Sequence, residues 1–166
     1  MNGLNGLGLT MNIADLISPD RVFIGLKAAD KSRLLAELSR RAASAAGLPP
    51  QDIQRALEER EALGSTGVGA GVAIPHARFR GIDRFIGLFA RLERRLDFNA
   101  VDDQPVDLVF LLLAPGDAAG EHLKALACVS RRLRAPEGAA GLRRAADAAE
   151  LYAALVGDLA SAPRTP

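Results

Sequence analysis

One stretch of this chain limits the fold more than any other. After Pro105, the run Val106-Asp107-Leu108-Val109-Phe110-Leu111-Leu112-Leu113 is apolar at nearly every position. A strand with one wet face alternates apolar and polar residues, so a near-continuous run predicts a strand buried on both faces, in the middle of a sheet that needs cover on each side. The neighbouring segments supply that cover. Asp30 is an N-cap for a helix whose stripe is Leu34, Leu38, Ala42 and Ala45, stopped by Gly47. After Pro49-Pro50, the positions Ile53, Ala56, Leu57 and Arg60 share one face of a second helix. A helix from about Glu121 to Arg134 places His122, Leu126, Val129 and Leu133 on one face. Asp147 to Glu150 reads as a capping box opening a last helix with Leu151, Leu155 and Val156.

Strands are expected at Val22 to Leu26, at Val72 to Ile74 and at Phe85 to Leu92. A hairpin through Arg94-Arg95 is expected to lead into Leu96-Asp97-Phe98, and Asn12 is expected to cap a short helix carrying Ile13, Leu16 and Ile17. Helices interleaved among strands give an α/β fold, a single domain with a mixed β-sheet covered by helices on both faces. The domain is expected over residues 12–158, between a flexible extension at 1–11 and a disordered tail at 159–166. Neither a repeat nor a second domain is visible.

At 166 residues, with 21 Lys plus Arg against 20 Asp plus Glu, the chain carries no global field for nucleic acid. The single cysteine, Cys128, excludes an intrachain disulfide, and with two histidines a structural zinc site is not expected. The opening residues lack a basic secretory region, and no apolar run reaches the ~18 residues of a membrane span. A cytoplasmic protein without membrane insertion is expected.

The chemistry concentrates between Arg60 and His76, Arg-Glu-Ala-Leu-Gly-Ser-Thr-Gly-Val-Gly-Ala-Gly-Val-Ala-Ile-Pro-His. Glycine amides, two hydroxyls, a guanidinium and an imidazole at a strand exit stiffened by Pro75 suit an anion such as phosphate. Spacing excludes three sharper motifs. Gly64 and Gly69 have P-loop separation, yet Ala70 and Gly71 stand where Lys and Ser/Thr are required. Gly67, Gly69 and Gly71 precede a strand and miss the dinucleotide-binding pattern, and Gly64-Ser65-Thr66-Gly67 is no nucleophile elbow. Residue chemistry alone leaves two roles open for Arg60, binding an anion or closing its helix. It leaves two for His122 as well, a core-edge histidine or an anion ligand at a helix start.

Arg60-Glu61, then Gly64-Ser65-Thr66-Gly67, Gly71-Val72-Ala73-Ile74-Pro75-His76, Pro105 to Leu108 and a second histidine recur in the order of the fructose/mannitol-type (type 2) EIIA proteins of the bacterial phosphotransferase system, which this chain closely resembles from about residue 12 to 158. Ala70 departs from the pattern, standing where the family commonly carries Asn or His. The resemblance implies a phosphoryl carrier with His76 as acceptor and His122 orienting it or stabilising the phosphoryl group. It further implies Arg60, Ser65, Thr66, Gly67 and Gly69 as phosphoryl binders, with no cofactor, metal or nucleotide. The implied partners are an HPr-like phosphocarrier and either regulatory target proteins or an EIIB. The runs Ile13 to Ile17 and Asp30 to Leu35 look like the nitrogen-regulatory branch. The alternatives are a sugar-uptake EIIA and a docking module that is not phosphorylated. Val68, Phe79 and Ile82 are expected to give His76 an apolar surround.

Overall fold

The computed structural model describes residues 11–157. The expected tail and the extension before Met11 lie outside the described residues. Six strands form one sheet: β1 (Val22–Leu26), β2 (Gly67–Gly69), β3 (Val72–Ala73), β4 (His76–Phe79), β5 (Ile86–Leu96) and β6 (Val106–Pro115). The order is β1-β5-β6-β3-β2, with β4 also on β6. β6 is central, as its apolar run demands: all of it is buried, antiparallel to β5 and parallel to β3 and β4.

Alternation along β6 divides the interior into two cores. Val109, Leu111 and Leu113 join Leu34, Leu38, Ile53 and Leu57, beneath α1 (Lys31–Ala46) and α2 (Pro50–Ala62). Leu108, Phe110 and Leu112 face the other way, against Ala125, Val129, Leu142, Leu151 and Leu155. Those belong to α3 (Ala119–Arg134), α4 (Pro136–Arg144) and α5 (Ala148–Val156). Fully burying each such aliphatic side chain contributes about 1.5–3 kcal/mol. The expected mixed α/β sheet, covered on both faces, is the observed fold.

The helix ends follow their sequence signals. Asp30 accepts the Arg33 amide at 2.8 Å and Gly47 closes α1 in the left-handed region. Asp147 accepts the Glu150 amide, but Glu150 reaches back to the Ala146 amide, one residue before the N-cap. Met11 packs on the second core, where its carbonyl accepts from Cys128.

Four sequence expectations are corrected. No hairpin forms at Arg94-Arg95: β5 continues to Leu96, which pairs with Val106 across a register shift after Arg91, and the chain turns back beyond it. The short N-terminal helix is a 3-10 turn at Ile13–Asp15, too short to carry Leu16 and Ile17. α3 begins earlier than Glu121, at Ala119. Finally, His76 does not hang beyond a strand exit. It opens β4, and β3 and β4 keep one register on β6, Val72 beside Leu108 and His76 beside Leu112.

Candidate functional site

That continuous register decides where the imidazole points. Successive side chains alternate between faces, so Val72 and Ile74, both in the second core, put His76 on the α3 side. His122 stands in the first turn of α3, and the two rings meet edge to face with centroids 5.2 Å apart. Arg60 comes from the last turn of α2, on the opposite face, and reaches around to the same ring. With Ala77, Arg78, Ala119, Leu123 and Leu126 they line an open cleft of about 400 Å³.

Hydrogen bonds settle the state of His76. Nδ1 lies 2.8 Å from the Ile74 carbonyl, which can only accept, so Nδ1 carries the proton. Nε2 keeps its lone pair and accepts from Arg60 Nε at 3.3 Å. Burial holds the His76 pKa below the ordinary histidine value; the Ile74 hydrogen bond and the Glu61 charge oppose that shift, and the Arg60 charge adds to it. His122 is 9% exposed, and its Nε2 has no partner among the described residues. Burial, then the His76 and Arg78 charges, push its pKa down to about 4. Both rings are therefore neutral near pH 7. A buried nitrogen without a partner is costly, and this one sits beside a ring with an available lone pair. Such an arrangement suits a group brought in from outside that carries oxygen acceptors and negative charge.

Arg60 closes its helix, with Nη1 donating to the Gly64 carbonyl at 2.7 Å just past α2, while Nε turns to His76. The remaining candidates are not brought to the ring. Ser65 Oγ donates to the Phe98 carbonyl at 2.6 Å and accepts from the Gly67 amide at 3.0 Å. Thr66 is buried, with its amide and hydroxyl both donating to Glu61. Gly67 lies against Ala100, where an added Cβ would come within 2.8 Å of that residue's Cβ. Gly69 pairs with Val72 and opens a turn through Gly71 at the far end of β3, about 13 Å from His76 along the strand at the usual rise. Ser65, Thr66, Gly67 and Gly69 are engaged within the fold rather than turned to the ring, because a β-hairpin rather than a loop occupies the glycine-rich segment.

Sequence reasoning marked Glu61 only as half of the Arg60-Glu61 pair and gave it no role; its side chain is 7% exposed and binds both Thr66 and Lys31 Nζ at 2.9 Å. A charged residue in the last turn of an amphipathic helix looks like surface, and the pair pattern says nothing of what it binds. The apolar surround also differs. Ile82 is buried, while Phe79 and Val68 pack against the two cores. Among the described residues the large exposed apolar side chains are Leu63, Val101 and Leu123, of which Leu123, 70% exposed, lines the cleft. Among the described residues, no group of three His, Cys, Asp or Glu side chains could hold a metal ion, and no helix is long and apolar enough to cross a membrane.

Residues 15–157 match the family described as phosphoenolpyruvate-dependent sugar phosphotransferase system, EIIA 2. A nitrogen regulatory protein of Bradyrhizobium diazoefficiens is 46% identical over 145 residues, 87% of this chain and 95% of the relative. The nitrogen regulatory protein of Escherichia coli is 38% identical, over 86% of this chain and 88% of its own. Among solved structures, the nitrogen regulatory protein IIA-Ntr of Neisseria meningitidis superposes with a TM-score of 0.82 at 34% identity, covering 86% of this chain and 98% of that one. The mannitol IIA of Escherichia coli, at 20% identity and a TM-score of 0.70 over 83% and 97% of the chains, shares the fold.

Proposed function

Because the chain belongs to the EIIA 2 family of the phosphoenolpyruvate-dependent sugar phosphotransferase system, we propose that it is a phosphoryl carrier whose acceptor is Nε2 of His76. The observation that carries this reading is the state of that ring: proton fixed on Nδ1 by the Ile74 carbonyl, lone pair kept on Nε2 and met by the Arg60 guanidinium, on the wall of an open cleft. The donor is the phosphohistidine of an HPr-like carrier protein. As Nε2 bonds to phosphorus, the donor's N–P bond breaks and its electron pair returns to the donor imidazole. Positive charge develops on the His76 ring, and the Nδ1–H bond to Ile74 spreads it. Arg60 neutralises the phosphoryl oxygens, and His122 turns its unpartnered Nε2 toward them as a donor. Transfer of this kind depends on positioning and charge stabilisation. The step needs neither metal nor nucleotide, because the donor is already a phosphoprotein.

The nitrogen regulatory relatives, matched over most of their length, favour a cytoplasmic signalling role. Phosphorylation of His76 would set which regulatory target binds, rather than feed sugar uptake through an EIIB. Leu123, exposed on the rim of the cleft beside Leu126, gives a small apolar contact on which a donor can dock briefly and release.

Incubation with phosphoenolpyruvate, the first phosphotransferase enzyme and an HPr-like carrier should add one acid-labile, alkali-stable phosphoryl group by intact mass. His76→Ala should add none. Labelling that survives in His76→Ala would move the acceptor elsewhere.

A further inference from the structure

The two nitrogens of His76 are held from neighbouring positions on α2. Arg60 contacts Nε2 directly. Glu61 faces the other way, accepting the Thr66 amide at 3.0 Å together with the Thr66 hydroxyl. The Thr66 carbonyl accepts the Ile74 amide at 2.9 Å, and the Ile74 carbonyl accepts His76 Nδ1–H at 2.8 Å. Pro75, between them, has a fixed φ and no amide proton with which to offer the Ile74 carbonyl or the ring a competing partner.

The geometry points to Glu61 as a positioning residue for His76, acting through Thr66 and Ile74 to fix the proton on Nδ1 and keep the lone pair on Nε2; this rests on the phosphoryl-carrier reading. Its carboxylate is itself held in place. Lys31 Nζ pairs with it at 2.9 Å and lies 4.7 Å from the centre of the Phe98 ring, whose backbone carbonyl receives Ser65. Thus α1, the end of α2 and the segment after β5 brace the strand carrying the imidazole from behind. A carboxylate so nearly enclosed, with a cation and two Thr66 donors on its oxygens, fits an anchor rather than a surface charge. Histidine function depends on which ring nitrogen bears the proton, and that choice follows from the hydrogen bond made by the other.

Nitrogen-detected NMR of the His76 ring, read beside the initial phosphorylation rate, tests this. The wild type should show one tautomer, with the proton on Nδ1. Glu61→Ala should show a mixture of tautomers, and phosphorylation should slow on the order of tenfold or more, as expected for a misaimed reacting group. Glu61→Gln, whose amide oxygen can still accept the Thr66 amide, should restore most of both. Lys31→Met, which removes the brace but not the Thr66 hydrogen bonds, should lower the melting temperature and keep the tautomer. Should Glu61→Ala fail to fold, Glu61→Asp shortens the reach by one methylene and should give the intermediate mixture. A wild-type tautomer and rate in Glu61→Ala, or in Glu61→Asp where only that variant folds, would overturn the proposal. Absence of phosphorylation in the wild type would instead sink the carrier reading, while the NMR result would still decide what Glu61 does.

Discussion

The two ends of the strand line formed by β3 and β4 are built to opposite rules. At the Gly69–Gly71 end the backbone is contorted, with Gly69, Ala70 and Gly71 all at positive φ, yet its polar groups are paired. The Ala70 amide donates to Asp102 at 3.0 Å, its carbonyl accepts from Arg143 at 3.0 Å, and Arg143 also grips Asp107 at 2.7 Å. At the His76 end the backbone is ordinary strand, while the side chains are left incomplete: a buried His122 nitrogen has no partner among the described residues, and α3 starts at an N-cap, Ala118, whose side chain caps nothing. The glycine-rich end spends its chemistry on holding shape, and the histidine end withholds its chemistry from the fold. Ala70, the residue that departs from the family pattern, sits at the first of these ends, where a left-handed non-glycine residue is strained.

The largest effect should come from cutting into the incomplete end. His122→Ala should slow phosphorylation by roughly a hundredfold to a thousandfold, about 2.7–4 kcal/mol, the usual loss when one donor to a developing charge is removed. Its melting temperature should hold or rise, since the substitution removes a buried nitrogen without a partner. Stopped-flow transfer from the phosphorylated carrier protein, beside a thermal melt, measures both. Wild-type kinetics would make His122 a core-edge residue and erase the contrast.

Arg143→Ala tests the other end. It strips Asp107, itself 9% exposed, of its bidentate partner and leaves the Ala70 carbonyl without its side-chain donor. The cost should be about 2–3 kcal/mol by chemical denaturation, less than for a fully enclosed pair because the Arg143 side chain keeps some contact with water. Phosphorylation rates should stay within about twofold, below the ~1.4 kcal/mol that a tenfold change requires. A large kinetic defect with intact stability would mean that the turn serves the site after all.

How far the sequence foretells the molecule differs between these ends for a physical reason. β6 and α1 are legible because burial on two faces and a capped stripe leave marks within a few residues, at Val106 to Leu113 and at Asp30, Leu34 and Gly47. His76 and His122 are legible as residues, and the family pattern brings them together. What composition hides is direction. Gly-Ser-Thr-Gly reads as an anion cradle until the hairpin pairs Gly67 with Ala73 and turns Ser65 toward Phe98. β4 was hidden because Pro75 interrupts the strand pattern although the register runs straight through. α4 was hidden as well, its glycines at 138 and 141 resembling a loop, while its Pro136 sits at the first helical position, where proline is tolerated. Glu61 is legible as half of the Arg60-Glu61 pair, but its role is not, since its partners come together only when α1 packs on α2 and Thr66 folds back.

Proton linkage distinguishes the ends again, by a smaller effect. The folded His122 pKa of about 4 lies below the ordinary 6.5, so between these values the unfolded chain binds the proton more readily than the folded one. Stability from this residue is therefore complete above pH 6.5, falls as pH drops toward 4, and changes no further below. Denaturation of the unphosphorylated protein from pH 7.5 to 4 should show this acid limb, flattened in His122→Ala. Phosphorylating His76 should raise the His122 pKa, because a phosphoryl group of about −1.5 to −2 charge beside it favours the imidazolium. NMR titration of both forms measures the shift; an unchanged His122 pKa on phosphorylation would separate it from the phosphoryl group.

Ser65→Ala gives the smallest effect and the sharpest discrimination, since this residue belongs to the histidine signature by sequence and to the shape-holding half by structure. Its hydroxyl donates its only proton to the Phe98 carbonyl at 2.6 Å while its oxygen receives the Gly67 amide at 3.0 Å. To donate to a phosphoryl oxygen it would have to give up Phe98 and rotate away from Gly67. Losing these bonds should cost about 1 kcal/mol in denaturation, near the typical net value of one hydrogen bond. The transfer rate should be unchanged. If Ser65→Ala instead folds with full stability and transfers roughly tenfold more slowly, about 1.4 kcal/mol of transition-state stabilisation, then the hydroxyl turns to the phosphoryl group when it arrives. The boundary between the paired end and the incomplete end would then lie on the far side of Ser65, closer to Gly67.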